Sequence, residues 1–172
     1  MEKEEIIPNK QGNNIGCLVF IILIIVIIII SIFNNNGKYT YTNEGITIST
    51  NDYLEKSNKL GKIIFLQNKN IGLEIYGEKH TFESLEKYGI NQNSTIEDYL
   101  KYDIKKNNYA AKIETHEDII YYTHSLNKYL FVTAKKTNKA FYLFVFSAPK
   151  NSAQLFKEDF IEYAKNIKIN DN

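Results

Sequence analysis

Residues 141–169, FYLFVFSAPKNSAQLFKEDFIEYAKNIKI, decide how the chain is read. The first six, FYLFVF, are apolar at odd and even positions alike. Side chains alternate between faces along a strand, so this run needs cover on both sides and predicts a central strand. Pro149 ends it, since proline has no N–H for a ladder bond. Asn151 or Ser152 can then cap a helix whose Leu155, Phe156, Phe160, Tyr163 and Ala164 are expected to form the buried face.

Upstream, residues 110–115 and 119–125 flank His116-Glu117-Asp118, and residues 129–135 and 140–147 flank Lys136-Thr137-Asn138-Lys139. Both links are of hairpin length. Ser94-Thr95-Ile96-Glu97 reads as a capping box opening a helix over residues 95–106, with Ile96, Tyr99, Leu100 and Ile104 on one stripe. Residues 81–88 predict a short helix closed by Gly89 in a left-handed cap. Two further hairpins are expected: residues 38–42 with 46–50, and 62–67 with 71–76. Strands, helix, strands, helix with short links predict an α+β fold, an antiparallel sheet with helices packed on it.

Ahead of this domain lies IGCLVFIILIIVIIIISIF, residues 15–33, without a charge. At about 1.5 Å per residue it matches a hydrocarbon core of about 30 Å, and predicts one transmembrane helix in contact with membrane lipid. The tail before it is acidic at Glu2, Glu4 and Glu5, and no small-residue cleavage pattern follows, which favours an uncleaved anchor. Cys17 stands at the start of the apolar run, whereas the cysteine of a lipoprotein signal follows it. Lys3 and Lys10 lie before the helix and Lys38 behind it, so the expected organisation is a cytoplasmic tail over 1–14, the helix over 15–33 and a linker over 34–38. The α+β domain over 39–170 then lies outside the plasma membrane.

The formal charge of +1 over 172 residues argues against nucleic acid as a partner, and every basic residue is Lys. Guanidinium clamps are therefore absent. Cys17 is the single cysteine, which excludes a thiol nucleophile, a cysteine zinc site or an internal disulfide in the domain.

Residues 94–100 (STIEDYL) and 141–169 carry a resemblance to the PsbP-like superfamily, in which an aromatic strand, a loop and a closing helix run into an Asn-Ile-Lys tail. It covers residues 39–169, with Asn51-Asp52-Tyr53 standing where the family has an early Pro-x-x-Trp element. The resemblance implies an α/β/α sandwich and a non-enzymatic accessory or binding domain, often extracytoplasmic and membrane-attached. It assigns no functional residue and no cofactor.

Chemistry-bearing groups are sparse. Glu114, His116 and Asp118, with Glu117 between them, would gather at a hairpin tip, where carboxylates and an imidazole could hold a divalent cation or serve a cell-surface hydrolase. A solvated turn has the same composition, and no known ligand spacing is present. Ser125 and His124 are neighbours on a strand and point to opposite faces, so they cannot act together. No Gly-x-Ser-x-Gly elbow or phosphate loop exists. The unusual feature is the tyrosines, 13 in all. Tyr102, Tyr109, Tyr121 and Tyr122 are the candidates for a binding surface, since Tyr offers a large face and a polar tip. The reading is a membrane-anchored binding or accessory module whose partner is a protein or small ligand, with the enzyme as the alternative.

Overall fold

The computed structural model describes residues 38–171. The expected tail, membrane helix and all but the last linker residue lie outside them. Among the described residues, no helix is long and apolar enough to cross a membrane.

The described chain runs β1 (Tyr39–Asn43), β2 (Ile46–Thr50), β3 (Glu55–Lys56), β4 (Ile64–Asn68), β5 (Leu73–Thr81) and α1 (Phe82–Leu85). A 3-10 turn (Glu86–Tyr88) leads to α2 (Ile96–Lys106), β6 (Ile113–His116), β7 (Ile119–Ser125), β8 (Lys128–Lys136) and β9 (Ala140–Pro149). A second 3-10 turn (Lys150–Ser152), α3 (Ala153–Lys165) and β10 (Lys168–Ile169) follow. Seven strands form one antiparallel sheet, β3-β4-β5-β9-β8-β7-β6, and β1-β2-β10 form a second.

β9 is the middle strand of seven, as its two-sided apolar pattern predicts. Its alternate residues feed two separate cores. Ala140, Tyr142, Phe144, Phe146 and Ala148 join Ile46, Ile48, Phe156, Phe160 and Tyr163 under α3 and the small sheet. Phe141, Leu143 and Val145 join Leu85, Tyr99, Leu100, Tyr122 and Val132 under α1 and α2. The result is three layers: α3 with the small sheet, the large sheet, and α1 with α2. The edge strands β3 and β6 are short and largely exposed, which limits their capacity to template another strand.

Phe160 is fully buried, with ring centroids of Phe146, Phe156 and Phe131 at 5.4, 5.7 and 6.1 Å. Its stripe continues through Phe156, Tyr163, Ala164 and Ile167. Leu155 does not belong to it and is 74% exposed. It precedes Phe156 by one residue, and a step of about 100° carries it off the stripe. Ser152 takes the cap position of α3 but makes no side-chain cap bond.

α2 starts one residue later than the quoted box suggests. Thr95 is the cap: its hydroxyl accepts from the Asp98 N–H at 3.1 Å, and Asp98 accepts from the Thr95 N–H at 2.9 Å. Asp, with its shorter reach, replaces the usual Glu in this box. Gly89 adopts φ +76° and closes the turn before α2 as expected. β5 runs on past Tyr76 because Gly77 sits where a Cβ would lie 3.0 Å from both Ile64 and Phe144. Glycine here reflects close packing of neighbouring strands rather than a break.

A tyrosine face around helix α2

The stretch of β5 beyond Gly77 carries Glu78 and His80 toward α2. Tyr99 on α2 stacks flat on Phe141 of β9, 4.5 Å between centroids. That packing places the Tyr99 hydroxyl against His80 Nδ1, with which it shares a hydrogen bond. His80 Nε2 lies 3.2 Å from one oxygen of Glu78, and Lys62 pairs with the other. One neutral tautomer satisfies the chain: Tyr99 O–H donates to Nδ1, and Nε2–H donates to Glu78. His80, followed by Lys62, holds the Glu78 carboxyl down at about 2 despite its partial burial.

One turn further along α2, Asp103 is buried at 4% exposure. Tyr122 O–H donates to its Oδ2 at 2.6 Å, and Asn107 Nδ2–H donates to Oδ1 at 3.1 Å. Burial raises the Asp103 carboxyl above its ordinary range, and the Tyr122 hydrogen bond opposes that rise. Burial likewise raises the Tyr122 hydroxyl, with Asp103 adding to it. Tyr76, Tyr109 and Tyr122 with Glu78 and Asp103 enclose a small cleft of about 170 Å³. Burial, followed by Glu78, pushes Tyr76 up to about 12. These tyrosines therefore keep their hydroxyl protons at neutral pH, and the cleft is a set of hydrogen-bond donors beside carboxylates.

On the outer side of α2 lies a wider groove of about 600 Å³, lined by Lys87, Tyr88, Lys101, Tyr102, Lys105 and Lys106. Tyr88 and Tyr102 pack with centroids 5.0 Å apart at 36°. Tyr88 is half exposed. Lys87 Nζ lies 4.9 Å from the Tyr88 ring, and Lys106 Nζ lies 5.9 Å from the Tyr102 ring. Lys106 borders groove and cleft alike.

The four candidate tyrosines are thus divided. Tyr102 lines the groove and Tyr109 the cleft, where its ring stacks on His124 at 4.3 Å. Tyr121 and Tyr122 are core residues, 3% and 1% exposed, not surface ones. As neighbours on β7 they enter opposite cores: Tyr121 stacks on Phe131 beneath α3, and Tyr122 reaches Asp103 beneath α2. Tyr88 and Asp103 were missed by the sequence reading. Asp103 stands four residues after Tyr99 and three after Leu100, so the helical stripe itself pointed to it.

Glu114, His116 and Asp118 are not drawn together. Glu114 accepts from Tyr121 O–H at 3.0 Å and Lys157 at 3.2 Å, while Glu117 pairs with Lys165 at 2.6 Å. His116 Nε2 comes only within 3.9 Å of Glu117. Among the described residues, no group of three His, Cys, Asp or Glu side chains could hold a metal ion. Glu114 and Glu117 turn instead toward lysines of α3.

No family model matches the chain, and no curated protein does. Solved structures do match. The solution structure of cyanobacterial PsbP (CyanoP) from Synechocystis sp. PCC 6803 aligns at a TM-score of 0.50 and 12% identity. The match covers 78% of this chain and 92% of that one. Antiparallel sheets with helices on both sides, in this order, give the chain a PsbP-like fold.

Proposed function

We propose that the protein is a membrane-anchored, extracytoplasmic binding or accessory module with no catalytic role of its own. The apolar run over residues 15–33 supports the anchor, and membrane lipid is its partner there. A PsbP-like fold fits an accessory part. The observation that carries the reading is the Tyr88–Tyr102 pair, set in an open groove and ringed by lysines. Exposed aromatic faces beside uncompensated charge are features of a recognition surface rather than of a core.

Two in-cell experiments test this. A photo-cross-linking residue at Tyr88 should give a discrete adduct, while the same residue at Leu155, exposed on the opposite layer, should not. No adduct at Tyr88, or equal adducts at both, would count against a binding face here. For topology, a Cys17→Ser, Lys69→Cys double variant should react with a membrane-impermeant maleimide in intact cells. Labelling only after lysis would place the domain inside.

A further inference from the structure

The groove outside α2 has a composition that narrows its ligand. Three of its four lysines, Lys87, Lys105 and Lys106, have no carboxylate partner within salt-bridge distance among the described residues; Lys101 pairs with Glu97 at 2.7 Å. The nearest acids on the preceding turn, Glu83 and Glu86, line a separate hollow with Asn91, Gln92 and Asn93. Lys106 also feels the Asp103 carboxyl in the neighbouring cleft, so Lys87 and Lys105 carry the positive charge that is least compensated. Lysine ammonium groups are mobile point charges with three donors each, suited to a phosphate that needs no planar fork.

The tyrosines add a second requirement. Tyr88 and Tyr102 line the groove beside those ammonium groups, with the Tyr88 ring half exposed. Ring surface recognises another ring by stacking, which a bare anion cannot exploit. A volume of about 600 Å³ suits a small molecule. The groove is short for a polymer, and the chain's overall charge of +1 is low for a nucleic-acid binder. A bilayer surface is the other source of phosphate. Its glycerol headgroups, however, offer the two tyrosines no flat ring to stack on.

From this geometry we infer that the groove formed by Lys87, Tyr88, Lys101, Tyr102, Lys105 and Lys106 binds a soluble, ring-bearing phosphate monoester. The phosphate meets the ammonium groups of Lys105 and Lys106 while the ring packs on Tyr88 and Tyr102. This rests on the reading of the protein as a binding module and names the ligand class for the same surface.

The test uses the full chain in non-ionic detergent micelles, with ring-labelled tyrosine followed by NMR. Phenyl phosphate, inorganic phosphate, and liposomes containing phosphatidylglycerol are titrated separately. Phenyl phosphate should shift the Tyr88 and Tyr102 ring signals and bind at least ten-fold tighter than inorganic phosphate. Tyr88→Leu should bring phenyl phosphate down to the inorganic phosphate level and leave the latter unchanged. The double variant Lys105→Gln, Lys106→Gln should weaken both at least five-fold. Equal affinity for the two phosphates would overturn the ring contact. Shifts with liposomes alone would overturn the proposal in favour of a lipid surface, and no shift with any probe would overturn it outright. A Tyr88 adduct in cells without phenyl phosphate binding defeats only this ligand class; no adduct defeats the binding module as well.

Discussion

Replacing Tyr122 by phenylalanine removes one oxygen atom and keeps the ring that packs in the core beneath α2. That oxygen donates to Asp103 Oδ2 at 2.6 Å, and both residues are almost fully buried. The carboxylate then keeps only Asn107 as a side-chain donor. A hydrogen bond to a charged buried group is worth ~1.5–3 kcal/mol, so a loss of about 2 kcal/mol is expected at pH 7. For a domain of this size that is a fall in Tm of about 8 °C. The loss should depend on pH. Asp103 has its folded pKa raised above 3.8, chiefly by burial, so at pH 3.8 it is mostly protonated in the native state. A neutral carboxyl suffers less from losing a donor, and removing Tyr122 raises the Asp103 pKa further. The variant should therefore lose most stability near neutrality and progressively less as pH falls toward 3.8. Urea denaturation of wild type, Tyr122→Phe and Tyr121→Phe at both pH values measures this. Tyr121 is the control: its hydroxyl meets Glu114 near the surface and should cost under ~1 kcal/mol. A Tyr122→Phe loss equal at both pH values, or below ~0.5 kcal/mol at pH 7, would refute the account of Asp103 as a buried, charge-bearing acceptor.

Three further outcomes are expected. Gly77→Ala should destabilise by ~1–3 kcal/mol in urea denaturation, because its Cβ would press on Ile64 and Phe144 at 3.0 Å between tightly paired strands. Gly89→Ala should cost about 1 kcal/mol by the same measurement, from backbone strain at φ +76° alone, since nothing lies within 4 Å of the new methyl group; Gly89→Asn should cost less. Glu78, with its folded pKa lowered to about 2 from 4.5, contributes stability that is present above pH 4.5 and lost as pH falls toward 2. Glu78→Gln should flatten that part of the stability–pH curve.

The sequence was most readable where one physical rule dominated. Six consecutive apolar residues from Phe141 left a central strand as the only arrangement with enough cover, and β9 is that strand. Hairpin links were legible because charged and Asn-rich turns punctuate apolar runs. Two small elements were not: β3 and β10 have two residues each, too few for any period to show. β10 depends on β2, distant in the chain, while β3 only extends the edge of its near neighbour β4. The strand expected over 71–76 runs on through Gly77, and only the packing of Phe144 and Ile64 shows that this glycine marks close approach rather than a break. The tyrosines of the site were harder still. Tyr121 and Tyr122 differ by one residue and end in different cores, so composition could not sort them. Tyr88 gains its place through Tyr102, a contact between two elements that no local pattern records.

The pairing of β10 with β2 sets an order on how the domain is made. Ile46 and Thr47 emerge early in synthesis, but their partners Ile169 and Lys168 come more than a hundred residues later. Asn170 N–H then donates to Gly45 O at 2.8 Å, beside the turn that joins β1 to β2. Until those residues leave the ribosome, β2 has one open edge, and the apolar side of Ile46 and Ile48 has no α3 to cover it. An open edge of this kind is a template for the wrong strand, whether from a neighbouring nascent chain or from a misfolded copy. Slow translation or tightly packed polysomes should therefore harm this domain early, before any ligand or partner matters.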